Sequence, residues 1–289
     1  MREIKEKAYA KLNISLDVTS RRGDGYHDMV MVMQTVSLCD ELSIALNDSG
    51  KITAHTDMHF IPGDERNLAV KAALRYFEAA GLENCGAEIG IKKNIPVGAG
   101  MGGGSSDAAA VLRGLDRHFD NRLGEEKLIE LASLVGSDVA FCVSGGTALA
   151  TGRGEELKPL SPMPECSFVI CKPDFSISTP ELFKKLDQTP LRRHPDTAGI
   201  IAALDAGDLP SICRRMYNVF EDVDDRRMRT VAEIKSILLD HGALGAIMTG
   251  TGSAVFGVYN DSERAVRAAA VLKKEYGFAC TAEAVNKLY

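Results

Sequence analysis

Hydrophobic and polar positions alternate most clearly near the start of the chain. In YAKLNISLDV, Leu12, Ile14, Leu16 and Val18 interleave with Lys11, Asn13, Ser15 and Asp17, the period of two that marks a strand with one buried face. Lys11 and Asn13 therefore share its polar face. A Gly-Asp-Gly turn before Tyr26 and His27 leads to a second strand-like run, VMVMQTVSLCDELSIAL. The Ile, Thr and Phe content of KITAHTDMHFIPG predicts a strand ending at Pro62-Gly63. The period then changes. Apolar residues at 68, 70, 73, 74 and 77 predict a helix closed by Gly81. AEIGIKKNIP alternates again as a short strand, and Ala108, Val111, Leu112, Leu115 and Phe119 recur at helical spacing. EEKLIELASLVG reads as a helix stopped at Gly136, with Ser137 and Asp138 just beyond it. VAFCVSGGTALATGRGE reads as two short strands around Gly145-Gly146.

At PLSPMP (159–164) the composition shifts to a proline-rich connector. Beyond it come a strand at 168–171, helical segments between Thr179 and His241, strands at 246–248 and 255–259, the helix SERAVRAAAVLKKEYG and the strand FACTAEAV. That order is a split β-α-β-β-α-β unit of ferredoxin-like type, with extra helices in the first crossover. The expected architecture is α+β in two domains, 1–160 strand-rich and 161–289 ferredoxin-like, with a cleft between them.

Composition narrows the function. A chain of 289 residues with 45% hydrophobic and 26% charged content has the balance of a globular protein. Its net charge of -6 argues against a nucleic-acid backbone or an anionic membrane as main partner. MREIKEKAYAK lacks the apolar core of a signal peptide and no stretch approaches the length of a membrane span, so a cytoplasmic protein is expected, as a monomer or a weak homodimer. Seven scattered cysteines form no C-x-x-C pair and suggest neither a disulfide framework nor a zinc site. His55 and His59 are four apart but fall in the strand-like stretch, so no metal site is assigned to them.

The candidate chemistry centres on PVGAGMGGGSSDAAA (96–110), which joins a strand to a helix N-terminus. Bare backbone N–H groups at the positive end of a helix dipole favour phosphate, and five glycines exceed what a chain reversal needs. Ser105, Ser106 and Asp107 fall in the first helical turn, where their oxygens can cap free N–H groups. A P-loop is excluded, since the only Gly-Lys is Gly50-Lys51, followed by Ile52. A dinucleotide-binding fold needs alternating parallel β-α-β units, and the first half lacks them. A second glycine cluster, MTGTGSAVFGVY (248–259), sets Gly250 and Gly252 around Thr251, a backbone surface suited to close approach by a ligand or another chain segment.

PVGAGMGGGSSDAAA is similar to the phosphate loop of the GHMP small-molecule kinases, with Met101 in place of the usual leucine and Asp107 after the serine pair. MTGTGSAVFGVY resembles their C-terminal glycine motif. AKLNISLDVTSRRGDGYHDM resembles the branch that phosphorylates the 2-hydroxyl of a cytidine-diphosphate-linked methylerythritol in non-mevalonate isoprenoid synthesis. The resemblance implies ATP with Mg²⁺ as cofactors, Asp138 as the general base and Lys11 as its partner near the transferred phosphoryl. It implies nucleotide contacts from Asn67, Lys93, Pro96, Val97, Gly98, Ala99, Gly100, Met101, Gly102, Gly103, Gly104, Ser105 and Ser106. Substrate contacts are implied for Asn13, Tyr26, His27, Thr179, Gly250, Thr251 and Gly252. No metal ligand stands out, Ser106 being a candidate. Rival readings are a kinase of the same superfamily acting on homoserine, mevalonate or a sugar, and a non-catalytic nucleotide- or RNA-binding module.

Overall fold

The computed structural model describes residues 3–288. The chain opens with two long strands, β1 (Ile4–Arg21) and β2 (His27–Asn47), paired antiparallel across the turn at 22–26. β3 (Ile52–Thr56), α1 (Leu68–Ala80) and β4 (Gly86–Lys92) follow, then α2 (Gly103–His118), α3 (Gly124–Val135), α4 (Val139–Ser144), β5 (Thr147–Thr151) and β6 (Glu156–Pro159). The first sheet runs β3-β4-β2-β1, with β5 joined to the early half of β2 and β6 to β5. The second half contains β7 (Ser167–Lys172), α5 (Thr179–Leu186), α6 (Thr197–Asp205) and α7 (Leu209–Arg215). β8 (Tyr217–Asn218), α8 (Met228–Asp240), β9 (Gly245–Met248), β10 (Val255–Tyr259), α9 (Ser262–Tyr276) and β11 (Phe278–Glu283) complete it. Its sheet, in the order β11-β7-β10-β9, is antiparallel throughout and has the expected ferredoxin-like connectivity. The short β8 leaves this half and pairs parallel with β1 at Ser15 and Leu16.

The apolar periodicities fold as their spacing dictates. In α1, Val70, Ala73 and Phe77 are buried, Asn67 caps the first turn through Ala69 N, and Gly81 ends the helix with φ +62°. β1 departs from the expected half-buried strand, because all eight residues from Lys11 to Val18 are buried. The reason is its place in the fold. Ala8 and Leu16 join the core beneath the helices, while Leu12 and Ile14 join a second core with Phe168, Ile170, Phe256 and Val258 of the other sheet. Two polar residues of β1 also reach the second half: Asn13 N donates to Thr249 Oγ1 at 3.0 Å, and Asp17 Oδ1 lies 2.9 Å from His194 Nδ1.

Two expected strands are corrected. VAFCV forms α4, not a strand, a short buried apolar run whose period does not separate the two states. The strand expected to reach Pro62-Gly63 stops at Thr56, and the chain folds back so that Ala54 N donates to Gly63 O at 2.9 Å. Four of the cysteines, 142, 166, 171 and 213, are buried, and no described helix is long and apolar enough to cross a membrane.

Candidate active site

The glycine run leaves β4, crosses the middle of β1 at Lys11 and enters α2. Gly98, Gly100 and Gly102 have φ of +65°, +77° and +69°, angles that side chains resist. A Cβ on Gly100 would strike the Thr249 carbonyl, and one on Gly250 would lie 2.8 Å from Gly100 O. The two glycine clusters thus pack backbone against backbone. Ala254 N donates to Ala99 O at 3.2 Å and Lys11 N donates to Met101 O at 3.1 Å, so both sheets hold the loop. Ala99 and Met101 are buried beneath it while Val97 is exposed. Gly252 packs against Met248 and Ile177.

At the start of α2, Gly102 takes the cap position without a side-chain cap bond. The expected capping by Ser105, Ser106 and Asp107 is corrected. Ser106 Oγ hydrogen-bonds to Tyr9 O at 2.7 Å and is buried, and Asp107 turns inward to Lys93 Nζ at 2.6 Å. The first-turn N–H groups are therefore left to a ligand, at the end of the helix that attracts anions.

Lys93 lies under this turn, its ammonium enclosed between Asp107 and Asp40. Asp40 Oδ1 also accepts the backbone N–H groups of Asn94 and Ile95 at 2.5 and 2.7 Å. Burial opposes the charge on Lys93, but the two carboxylates outweigh it and hold its pKa above the usual value. Burial pushes Asp107 up to about 7 against the pull of Lys93, and its Oδ1 has no hydrogen-bond partner among the described residues. This group ties the β4 exit to α2. Asn67 is likewise engaged locally, as the cap of α1 and as donor to Pro62 O at 2.9 Å.

A cleft of about 1000 Å³ opens on the other side of the loop, lined by Lys11, Gly100, Gly102, Ser105, Ser137 and Asp138 at one end and by Tyr26, His27, Arg153, Thr179 and Phe183 at the other. Lys11 Nζ donates to Asn13 Oδ1 at 2.7 Å and lies 3.5 Å from Asp138 Oδ2. Asp138 stands at the start of α4 without a side-chain cap bond, so its carboxylate is free to face the cleft. Gly102 crowds this pair, since a Cβ there would sit 3.2 Å from Lys11 Cγ and 3.9 Å from Asp138 Oδ2. Asn13 is fully buried behind Lys11; its side chain orients the ammonium, and Thr249 Oγ1 accepts its backbone N–H at 3.0 Å. An ammonium and a carboxylate beside an open helix N-terminus can stabilise a transferring phosphoryl group and receive the proton of its acceptor.

At the far end, Tyr26 is 58% exposed, a flat surface offered to a ligand. The His27 ring stacks on Phe183 at 4.7 Å, and its Nε2 lies 2.7 Å from Asp187 Oδ1. That contact leaves Nδ1 as the ring atom available to a ligand. The hydroxyls of Thr179 and Thr251 meet at 2.8 Å across the two loops, and Gly250 also lines the cleft. Sequence reasoning missed Arg153, Phe183 and Asp187. Arg153 carried a visible signal, an arginine between two glycines in TGRGE. Phe183 and Asp187 sit in an ordinary amphipathic stretch and carried none.

The chain matches the family model for the GHMP kinases N terminal domain over residues 67–146 and that for GHMP kinases C terminal over 200–277. It is 44% identical over 276 residues to the 4-diphosphocytidyl-2-C-methyl-D-erythritol kinase of Syntrophomonas wolfei, covering 95% of this chain and 96% of that one. The chain belongs to the 4-diphosphocytidyl-2-C-methyl-D-erythritol kinase family. A crystal structure of 4-(cytidine 5'-diphospho)-2C-methyl-D-erythritol kinase superposes with a TM-score of 0.80 at 33% identity, covering 97% of this chain and 99% of that one. Homoserine kinase from Cytophaga hutchinsonii superposes at 0.76 with 22% identity, over 99% of this chain and 96% of that one, and shares the fold. Membership of this kinase family favours the cytidylated acceptor over the homoserine, mevalonate and sugar alternatives and over a non-catalytic module.

Proposed function

We propose that the cleft transfers the γ-phosphoryl group of ATP to the 2-hydroxyl of 4-diphosphocytidyl-2-C-methyl-D-erythritol, giving the 2-phosphate and ADP. The observation that carries this reading is the meeting of Lys11 and Asp138 at 3.5 Å, on the cleft wall, beside the uncapped N-terminus of α2. The ATP phosphates rest on the N–H groups of the first turn around Gly103 and Gly104, which open into the loop. The acceptor hydroxyl approaches Asp138. Its oxygen bonds the γ-phosphorus as the bond from that phosphorus to the β,γ-bridging oxygen breaks, and its proton passes to Asp138 late in the step. The transition state is loose, so the chain contributes mainly alignment and charge. Lys11, fixed by Asn13, supplies the positive charge to the moving oxygens.

Magnesium accompanies ATP and neutralises its β- and γ-phosphates. It keeps several waters and takes one or two protein oxygens beside the phosphates rather than an all-protein cage. Ser106 is turned to Tyr9 O, and among the described residues no three His, Cys, Asp or Glu side chains converge on one point. The ion arrives bound to the nucleotide. Cytosine stacks on Tyr26, with His27 Nδ1 at its edge. The same proposal sets the domain boundary at 160/161 and the work of the enzyme in the cytoplasm.

The test is ADP release by the purified chain with magnesium and ATP, offered the cytidylated methylerythritol, homoserine or mevalonate. Turnover with the first alone is expected. Turnover with either of the others in its place would overturn the acceptor assignment.

A further inference from the structure

Asn218 lies behind the cleft wall, on β8, the short strand that leaves the second half and pairs with β1 opposite Leu16. It is 1% exposed, and its amide is used on both sides. Nδ2 donates to Met248 O and to Gly250 O, each at 2.8 Å, and Oδ1 accepts the Phe220 N–H at 3.1 Å. Two carbonyls can only accept and a backbone N–H can only donate, so these partners fix which way the amide faces. Glu221, in the 3-10 turn Val219–Asp222, adds Oε1 as acceptor for Met248 N at 2.8 Å. One short stretch of chain thus holds both backbone polar groups of Met248, where β9 ends and the second glycine cluster begins.

The two sides of the amide lead to different ends of the cleft. On the donor side, Thr249 follows Met248 and is fully buried. Its Oγ1 accepts the Asn13 N–H at 3.0 Å and lies 3.3 Å from Asn13 Oδ1, the oxygen that receives the Lys11 ammonium. Gly250 then packs its backbone on Gly100 of the phosphate loop. On the acceptor side, the Phe220 ring meets Phe183 edge-on at 4.9 Å, and Phe183 stacks on His27.

We propose that Asn218 is a positioning residue for phosphoryl transfer: by holding the carbonyls of Met248 and Gly250 it sets Thr249 against Asn13, and through Asn13 the place of the Lys11 ammonium. The proposal rests on the reaction put forward above and adds to it a group that does not line the cleft. The need for such a clamp is local. Gly250 and Gly252, at φ +57° and +84°, give the turn the freedom to approach Gly100 but little stiffness of its own, whereas transfer depends on alignment to a fraction of an ångström. A buried amide with both donors engaged supplies the stiffness from outside the loop.

The sharpest probe is Asn218→Asp, which keeps the shape and the acceptor for Phe220 N–H but turns an oxygen, in place of Nδ2, towards the two carbonyls. With ATP saturating and 4-diphosphocytidyl-2-C-methyl-D-erythritol as acceptor, kcat is expected to fall about ten- to a hundredfold, while the KM for the acceptor stays within about twofold. Thr249→Val cuts the same path one link further on and should lower kcat similarly, whereas Thr249→Ser, which keeps the hydroxyl, should retain most of it. The double variant of Asn218→Asp with Thr249→Val should be little slower than the slower single. A near-parental kcat in Asn218→Asp, with only the melting temperature lowered, would reduce Asn218 to a part of the scaffold and overturn the proposal. A raised acceptor KM at unchanged kcat would place its effect at Phe220, and losses that multiply in the double variant would break the path through Thr249; either also overturns it. If Asn218→Asp does not fold, Thr249→Val decides alone, and a near-parental kcat there overturns the proposal. Absence of turnover by the parent would overturn the reaction itself, and this inference with it.

Discussion

Two lysine-aspartate groups flank the same glycine loop, and they differ in what surrounds them. Lys93 is closed in with Asp40 and Asp107, the three side chains being 3%, 0% and 6% exposed. Lys11 is nearly as buried at 5%, but its partner Asp138 is 31% exposed and 3.5 Å away. Successive glycines look onto the two groups. A Cβ on Gly102 would meet Lys11, and one on Gly103 would come within 3.5 Å of Lys93 Nζ. The closed group has its charges matched by one another and by backbone N–H groups, so it holds the loop in place. The open pair keeps one carboxylate facing the cleft, where a substrate can replace water. Charge type alone does not separate the two groups; the free face does.

Removing Asp40 is the strongest way to break that contrast. Asp40→Ala leaves Lys93 with one carboxylate and strands the N–H groups of Asn94 and Ile95, and it is expected to cost about 3–5 kcal/mol of stability, seen in urea unfolding. A loss below 1 kcal/mol would mean that the buried group is not what secures the loop. Asp138→Ala should show the reverse pattern, with kcat down by at least about a hundredfold and a near-parental melting temperature. Near-parental turnover would remove Asp138 from the reaction.

The paired glycines sharpen the comparison further. Gly102→Ala adds a side chain at φ +69° against Lys11, with strain of roughly 1–2 kcal/mol and a fall in kcat of about tenfold as the lysine is displaced. Gly103 has no positive φ and its Cβ would meet Ile95 at 3.3 Å, so Gly103→Ala should change kcat much less. Steady-state kinetics on both variants decides it, and equal losses would erase the distinction.

The smallest effect concerns pH. Asp107 holds its proton to about pH 7 in the fold but releases it near 4 when unfolded. Between those values the folded chain binds the extra proton, so stability falls as pH rises through that window. Asp107→Asn removes this slope, and the melting temperature of the variant relative to the parent should rise between pH 5 and pH 8. A constant difference would show that Asp107 does not titrate there.

Much of this was legible in the sequence where periodicity and glycine spacing report directly on backbone. The helix from Leu68, the glycine loop opening α2 and the ferredoxin-like order of the second half all follow from such patterns. The resemblance to the kinase family, carried by the AKLN stretch and the two glycine motifs, implied Lys11 and Asp138, residues that the fold brings together from separate elements. What escaped depended on partners distant in the chain. Nothing local shows that Ser106 bonds to Tyr9 O, that Lys93 is closed in by Asp40, or that Asp187 reaches His27. The burial of both faces of β1 was hidden for the same reason, since only the second sheet covers the outer one.

The most direct test of the account is single-turnover phosphoryl transfer to 4-diphosphocytidyl-2-C-methyl-D-erythritol by Lys11→Ala, Asp138→Ala and the double variant, with the fold of each checked by its melting curve. Residues acting as one unit give strongly non-additive losses, so the double variant should be little slower than the slower single, each single being at least about a hundredfold below the parent. Singles that keep near-parental rates, or losses that simply multiply, would contradict a reaction centre built on this pair.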